Sequence, residues 1–459
     1  MTPAIAANQQ RLFLAFVAEL RPHVRRDSAL PRRIKELLAR QRAIGSRDRK
    51  LYRELIYTWL RFLPWVDGAG QRGDGQAPGL APTAGSEAGG VRSAGAPAAR
   101  DEQPMLPPEL MARVVAWLAP DLKPTAAYRA ALCGDWPSTP LTLAEKAAAL
   151  TRLVGPIEPA EISGSAPCSL LEAPSFPPAA LLPAWFAEHC PAAFASPHLV
   201  ALNTRANVWV RLQCNDRNIV LDEFRAKQWT WETAADFPDA VCLPPNAEVA
   251  NTDAYRRGFI EIQDLGSQLV LATAPIPPGG RWLDACAGAG GKTLQLARLL
   301  GDAGHVDATD IRPEILDELR DRAQRARLTN VTIVRQPAAA YDGVLVDAPC
   351  SGSGTWRRQP HLKWYVKPDS IAAFAKTQRE ILAAQASRVK PRGLLIYATC
   401  SLSHHENQDV VAAFLKAHPQ FAPLPAADTH GGTFDGLGTT LLPGSRNTDG
   451  FYVATLRRD

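Results

Sequence analysis

The sequence predicts an α/β protein: a doubly wound parallel sheet, preceded by a helical segment and a small α+β module. Three observations carry this. From about residue 251 a pattern of strand, glycine-rich turn and helix repeats, as βαβ units do. Over 1–66 apolar residues recur at helical spacing. At Val208–Cys214 the residues alternate and are rich in β-branched and aromatic types, as a strand requires.

In the helical segment the period is clear in Arg11–Leu20, Ile34–Leu38 and Leu51–Trp59. Arg21, Arg25, Arg26, Arg32, Arg33, Lys35, Arg40, Arg42, Arg47, Arg49 and Lys50 lie between and around these runs. Such a charge run reads either as a solvated helix face or as a surface for phosphates. Asp67–Pro104 is nearly all Gly, Ala, Pro, Ser and polar residues, so a disordered insertion is predicted there. Helical patterning returns at Pro108–Leu118 and Leu143–Val154, which closes a first domain at 1–154. A short helix at Pro183–His189, the strand at Val208–Cys214 and a helix at Leu221–Trp229 make 155–250 the α+β module. Residues 251–459 then form the parallel-sheet domain.

The 459 residues are 46% hydrophobic, enough for ordinary packed cores, but no apolar run reaches the roughly 20 residues of a membrane-spanning helix. The stretch Leu12–Ala18 is short and followed by Glu19 and Arg21, so an amphipathic helix is expected there and not a signal peptide. The formal charge of +5 permits nucleic-acid binding without requiring it. The eight cysteines are scattered, with no C-x-x-C pair or zinc-like spacing. A cytoplasmic monomer without a metal is the expectation.

Two regions concentrate the chemistry. In the first, Arg281–Leu300, a short strand runs into Cys286-Ala287-Gly288-Ala289-Gly290-Gly291-Lys292 and then an amphipathic helix ended by Gly301. Glycines at such a turn let backbone approach a ligand. The loop is only a partial P-loop, because Cys286 stands where its first glycine belongs. It is also an incomplete dinucleotide fingerprint, with Thr293 at the last glycine position, and a plain tight turn would look similar. The next strand, His305–Thr309, ends in Asp310, where an acidic residue can accept hydrogen bonds from ribose hydroxyls.

In the second region, Val344–Asp347 runs into Ala348-Pro349-Cys350-Ser351-Gly352-Ser353-Gly354, and Leu394–Ala398 into Thr399-Cys400-Ser401. Both cysteines stand just past the carboxyl ends of predicted strands, the edge where open α/β sheets bind ligands. Two buried structural thiols are the plainer alternative.

With these motifs the chain resembles the Sun-type RNA 5-methylcytosine methyltransferases. The matching pieces are Gln263–Gln268, Cys286–Thr293, Asp347–Gly354, Arg357–Trp364, Tyr397–Ser401 and Asp449–Ala454. The resemblance covers about 183–459 well and is nearest to bacterial members acting on small-subunit ribosomal RNA. It implies a Rossmann-like domain that binds S-adenosyl-L-methionine, preceded by a NusB-like helical RNA-binding domain and an α+β RNA-binding module. It assigns Cys400 as nucleophile, Cys350 to product release, Asp347 and Lys292 to the cytosine and cofactor site, and Cys286–Lys292, Asp310 and Asp347 to cofactor binding. The chemistry suits thiols. Carbon 5 of cytosine is too electron-poor to attack a methyl sulfonium, and a thiolate adding at carbon 6 makes it nucleophilic. Asp347, if protonated, would hydrogen-bond ring N3.

The sequence departs from the family in three places. Gly288-Ala289 replaces the usual Ala-Pro, no acidic residue lies between Val334 and Asp342, and the insertion interrupts the helical domain. Two rival functions remain: a DNA cytosine-5 methyltransferase, whose nucleophile would be Cys350, and a noncatalytic RNA-binding or assembly factor. Beside the cysteines, Ser403 and Glu406 have capping-box spacing, and the adjacent His404 and His405 are not expected to face one ion. Arg357, Arg358, His361, Lys363 and Trp364 are either an exposed loop or RNA contacts.

Overall fold

A computed structural model describes residues 1–67, 106–154 and 176–459. Apart from Asp67, the predicted insertion 67–104 lies outside the described residues, as do 155–175 of the expected α+β module. The chain divides into two compact units: Met1–Pro22 with Ala29–Ala184, and His23–Ser28 with Trp185–Asp459.

The first unit is helical: α1 Pro3–Leu20, α2 Leu30–Arg40, α3 Ser46–Arg61, α4 Leu63–Val66, α5 Pro108–Leu118, α6 Lys123–Leu132 and α7 Leu143–Val154. The helical spacing read from the sequence is the buried face. Phe13, Phe16, Leu55, Trp59, Val114 and Trp117 are all buried, and Phe16 meets Tyr52 edge-on at 5.1 Å. Arg32, Arg33, Lys35, Arg40, Arg42, Arg47 and Arg49 are exposed.

The second unit begins with α8 Phe186–His189 and α9 His198–Leu202, then β1 Val208–Leu212, α10 Asn218–Ala226, β2 Glu232–Ala234, β3 Phe237–Leu243, α11 Asp253–Arg256 and β4 Ile260–Ile262. The four strands form one antiparallel sheet in the order β2-β3-β1-β4 over a core of Val210, Leu212, Phe224, Val241 and Ile260. Its last strand thus comes from beyond residue 250.

The elements that follow are α12 Leu265–Ala272, β5 Gly280–Asp284, α13 Gly291–Leu300, β6 Gly304–Ala308, α14 Pro313–Arg325, β7 Val331–Ile333, β8 Tyr341–Asp347, α15 Leu362–Tyr365, α16 Pro368–Ala386, β9 Val389–Thr399, α17 Gln408–Ala417, β10 Phe421–Leu424, β11 Thr433–Phe434, β12 Thr439–Leu441, α18 Pro443–Arg446 and β13 Phe451–Arg458. Five strands are parallel, in the order β9-β8-β5-β6-β7. The prediction of a parallel sheet is corrected at one edge. There β13 pairs antiparallel with β9, and β12, β11 and β10 continue the antiparallel part. Purely local patterning cannot reveal this, because β13 reads as an ordinary apolar strand.

The parallel strands are apolar because both faces are covered. In β8, Val344 and Val346 enter one core with Tyr341 and Tyr397, and Leu345 enters the other with Trp282 and Ile396. Burying each such aliphatic side chain contributes about 1.5–3 kcal/mol. From β5 the chain adds β6 and β7 on one side, then returns to add β8 and β9 on the other. The switch point between β5 and β8 therefore opens a crevice at the carboxyl ends of the strands.

Candidate functional site

The loop after β5 is shaped by two left-handed glycines, Gly288 at φ 51° and Gly290 at φ 87°. At Gly290 a Cβ would also lie 2.8 Å from the Leu319 side chain, so only glycine fits. Next to it, Gly291 begins α13 with nothing within 4 Å of where its Cβ would stand. Backbone is thus bare at a helix N-terminus. Asp284, at the end of β5, accepts a hydrogen bond from the Thr293 hydroxyl at 2.7 Å, which fastens the loop to its helix. Burial pushes the Asp284 carboxyl up to about 7. Burial likewise pushes the Cys286 thiol well up, so this cysteine belongs to the loop as an inert group. Ala287 packs beneath the loop with Ala308 and Leu319.

Asp310 follows β6, and its carboxylate receives Gly288 N at 2.8 Å, Arg312 N at 3.0 Å, Arg312 Nε at 3.0 Å and Arg312 Nη2 at 3.1 Å. These donors lower its pKa against the opposing effect of burial. Beside it, Ile311 is 96% exposed. From the other flank, Arg322 Nη1 donates to Ala289 O at 2.8 Å, and Glu261 on β4 holds Arg322 and Arg325 at 2.9 and 2.6 Å. Sequence reading missed this clamp, since its bonded partners are 33 to 64 residues apart.

Lys292, in the first turn of α13, reaches across to Asp347 at the end of β8, with Nζ 2.8 Å from Oδ2. Its ammonium is buried, lies 5.1 Å from the Phe451 ring and has 7% side-chain exposure. Strands β8 and β9 are neighbours, with Asp347 opposite Ala398, so the segments leaving them run side by side. Cys350 Sγ and Cys400 Sγ lie 3.3 Å apart. Gly354 N donates to Cys400 O, and Gly450 N to Gly354 O, both at 2.9 Å. A Cβ on Gly354 would stand 2.1 Å from Gly450 O, which is why a glycine is needed at this crossing. The hydrogen bond with Cys400, followed by burial, raises the Cys350 thiol well above its usual range.

The structure therefore gathers Cys350 with Cys400 and Lys292 with Asp347, all on the carboxyl edge of the parallel strands. It sets Cys286–Gly291 and Asp310 along the same edge. Chemically this offers two thiols able to share one proton, an ammonium–carboxylate pair, and an open backbone turn facing an acidic residue.

Three sequence readings are corrected. Ser403 and Glu406 make no capping box: Ser403 gives no side-chain cap bond. The Glu406 carboxylate is fully buried, and it accepts hydrogen bonds from Ser351 N, Ser351 Oγ, Ser401 Oγ and Gln378 Nε2 at 2.8, 2.5, 2.6 and 3.0 Å. Spacing alone cannot tell a cap from a carboxylate turned inward. Arg357, His361 and Lys363 are buried, not an exposed loop or an RNA surface. Arg357 bonds Thr448 O and Asn447, Lys363 bonds Asn203, and Arg358 pairs with Asp264 and Asp449. His361 is pushed down to about 4 by burial. Finally, His404 and His405 do face one point: both Nδ1 atoms approach Asp409 Oδ2, at 3.4 and 2.7 Å. The short 3-10 turn at His404–Glu406 makes this geometry accessible to neighbouring residues.

Residues 271–457 match the family described as 16S rRNA methyltransferase RsmB/F. The chain is 36% identical over 270 residues to ribosomal RNA small subunit methyltransferase B of Vibrio cholerae, covering 56% of this chain and 60% of that protein. It is 34% identical over 259 residues to the probable ribosomal RNA small subunit methyltransferase B of Bacillus subtilis, covering 53% and 57%. The matched region thus spans about three fifths of these relatives. Among solved structures, PH0851 superposes at TM-score 0.66 with 21% identity, over 100% of this chain and 99% of that one. NSun6 from Pyrococcus horikoshii, crystallised with SFG, superposes at TM-score 0.55 with 17% identity, over 60% and 96%. At these identities the two structures speak for the fold, which is the predicted α/β class.

Proposed function

We propose that the chain, whose residues 271–457 match the RsmB/F family, is an S-adenosylmethionine-dependent methyltransferase of ribosomal RNA that acts at carbon 5 of a cytosine. The observation that carries this reading is the pair of thiols, 3.3 Å apart, at the ends of two adjacent parallel strands.

The loop fits the cofactor. It has bare backbone at Gly291, a carboxylate at Asp310 suited to a ribose diol, and an exposed apolar side chain at Ile311 beside it. Its sequence departs from a complete phosphate loop, with Cys286 where the first glycine belongs. When bound, the cofactor supplies an electrophilic methyl group. Asp310 and the Gly288–Gly291 backbone would hold it.

Cys400 then adds as thiolate to carbon 6 of the flipped-out cytosine, and carbon 5 gains the electron density it needs. The Lys292–Asp347 pair offers a donor and an acceptor to the ring's polar edge as charge develops at N3. After methyl transfer the carbon 6–sulfur bond to Cys400 breaks as the ring double bond re-forms. Cys350, in hydrogen-bond contact with Cys400, gives its thiol proton to the departing sulfur and takes up the carbon-5 proton in exchange. In this reading the exposed basic residues of α2 and α3 contact RNA phosphates.

Trapping with 5-fluorocytosine-substituted small-subunit RNA tests the assignment. Wild type and Cys350→Ala should give denaturation-stable adducts, and Cys400→Ala none. Adducts with Cys400→Ala but not with Cys350→Ala would transfer the nucleophile to Cys350 and overturn it. Titration calorimetry with S-adenosylmethionine addresses the noncatalytic alternative: absence of binding at millimolar cofactor would favour an assembly factor.

A further inference from the structure

We propose that Glu406 is a positioning residue that ties the Cys350 loop to the Cys400 loop and sets which of the two thiols carries the proton. This rests on the two-thiol reading above. The carboxylate has no exposure, and its four hydrogen-bond partners are uncharged donors. Two of them, the amide and hydroxyl of Ser351, belong to the residue after Cys350. A third, the hydroxyl of Ser401, belongs to the residue after Cys400. The fourth, Gln378 Nε2, also donates to Pro349 O, the residue before Cys350, at 2.9 Å. One carboxylate therefore grips both catalytic loops within one residue of each sulfur.

The lattice extends from there. Ser353 Oγ lies 3.1 Å from Ser401 Oγ and accepts Leu402 N at 2.8 Å, and Ser401 Oγ accepts Ser403 N at 3.0 Å. Tyr397 donates its hydroxyl to Glu406 O at 2.5 Å, so the backbone at this position is fixed as well. Hydroxyls that donate to a carboxylate have their oxygens free for further bonds, and serine suits each place.

A buried negative charge also acts at a distance, because low-dielectric surroundings screen it poorly. The hydrogen bond with Cys400, burial, and the charges of Cys400 and Glu406 all favour the protonated form of Cys350. The neighbouring Tyr397 hydroxyl is itself held neutral, chiefly by burial. With Cys350 as the protonated thiol, its S–H can donate to Cys400 Sγ across the 3.3 Å contact.

The test reads thiol reactivity in the full chain without RNA or cofactor, so it does not depend on the proposed reaction. Iodoacetamide alkylation at Cys350 and Cys400 is followed by peptide mass spectrometry between pH 6 and 10. Wild type should favour Cys400 by about tenfold or more near pH 8. Glu406→Gln, which keeps the volume and removes the charge, should shrink that preference several-fold and shift the pH profile of Cys350 downward. Glu406→Asp, which keeps the charge on a shorter stem, should restore the preference. In methylation assays Glu406→Gln should lower kcat about tenfold or more with KM for RNA within about twofold. Ser401→Ala removes one tie but leaves the charge, and carries the test if Glu406→Gln yields no folded protein: kcat falls and the Cys400 preference persists. Equal reactivity of the two thiols in wild type, an unchanged preference in Glu406→Gln, or a lost preference in Ser401→Ala would each overturn the proposal. A chain that shows this thiol behaviour but methylates no RNA would instead refute the proposed function alone.

Discussion

Replacing Glu261 with glutamine should both destabilise the second unit and loosen the cofactor loop. Glu261 is 1% exposed and accepts Arg322 Nε at 3.2 Å, Arg322 Nη2 at 2.9 Å and Arg325 Nη2 at 2.6 Å. Glutamine keeps the volume and one acceptor. It removes the charge and points an amide NH2 at a guanidinium. Breaking a buried ion pair from one side costs about 3–5 kcal/mol, since the partner charge is left uncompensated. Here the arginines retain 13% and 20% exposure, so the lower end applies, about 3 kcal/mol. At about 2–4 °C per kcal/mol for a unit of this size, the transition should fall by about 6–12 °C in scanning calorimetry. Arg320→Ala provides the comparison. Its pair with Asp317 is on the same helix but exposed, 61% and 72%, and its loss should cost about 0.5 kcal/mol or less. Because Arg322 also donates to Ala289 O, Glu261→Gln should weaken S-adenosylmethionine binding by about tenfold, the value of one charge-assisted hydrogen bond. A transition within about 2 °C of the Arg320→Ala variant, or an unchanged cofactor affinity, would refute the view that this ion cluster holds the loop.

Two further outcomes follow from the same loop. Arg312 occupies three of the four bonds on the Asp310 carboxylate and is half exposed, so Arg312→Ala should free acceptors for the ribose diol. It retains the backbone bond, and S-adenosylmethionine, itself cationic, should bind a few-fold more tightly by calorimetry; weaker binding would show that the arginine recruits the cofactor. The Asp284 carboxyl is raised to about 7, above its unfolded value of 3.8. Its contribution to stability is therefore fully present below pH 3.8 and is lost as pH rises through about 7. Relative to wild type, Asp284→Asn should be more favourable at pH 8 than at pH 5, as read from melting temperatures at both; the opposite trend would mean that the ionised form is the one stabilised.

The sequence made the strand–loop–helix units legible because their signals are local. Val344–Val346 is apolar on every position, and left-handed glycines at Gly288 and Gly290 mark the turn before α13. The cysteines could be placed at strand ends for the same reason. What the sequence hid is what depends on distant partners. Glu406 is decided by serines 5 and 55 residues away. The basic stretch from Arg357 to Lys363 looks like a surface because its acceptors, Asp264, Asn203 and the Asn447–Asp449 turn, lie far along the chain. Pairing of β13 beside β9 reverses the direction of the sheet at an edge no local period marks.

The turn at Thr448–Gly450 has a consequence for the order of assembly. Thr448 and Asp449 bind Asp264 and Arg358, Gly450 N binds Gly354 O, and β13 then fills the sheet beside β9. Chains emerge from the ribosome amino end first, and their domains fold in that sequence. A nascent chain halted before Thr448 would carry both cysteines yet lack the bonds that fasten the Gly354 crossing over Cys400. The fastening of the two thiols is thereby tied to the arrival of Thr448–Arg458, and a chain cut before them would present unfastened thiols.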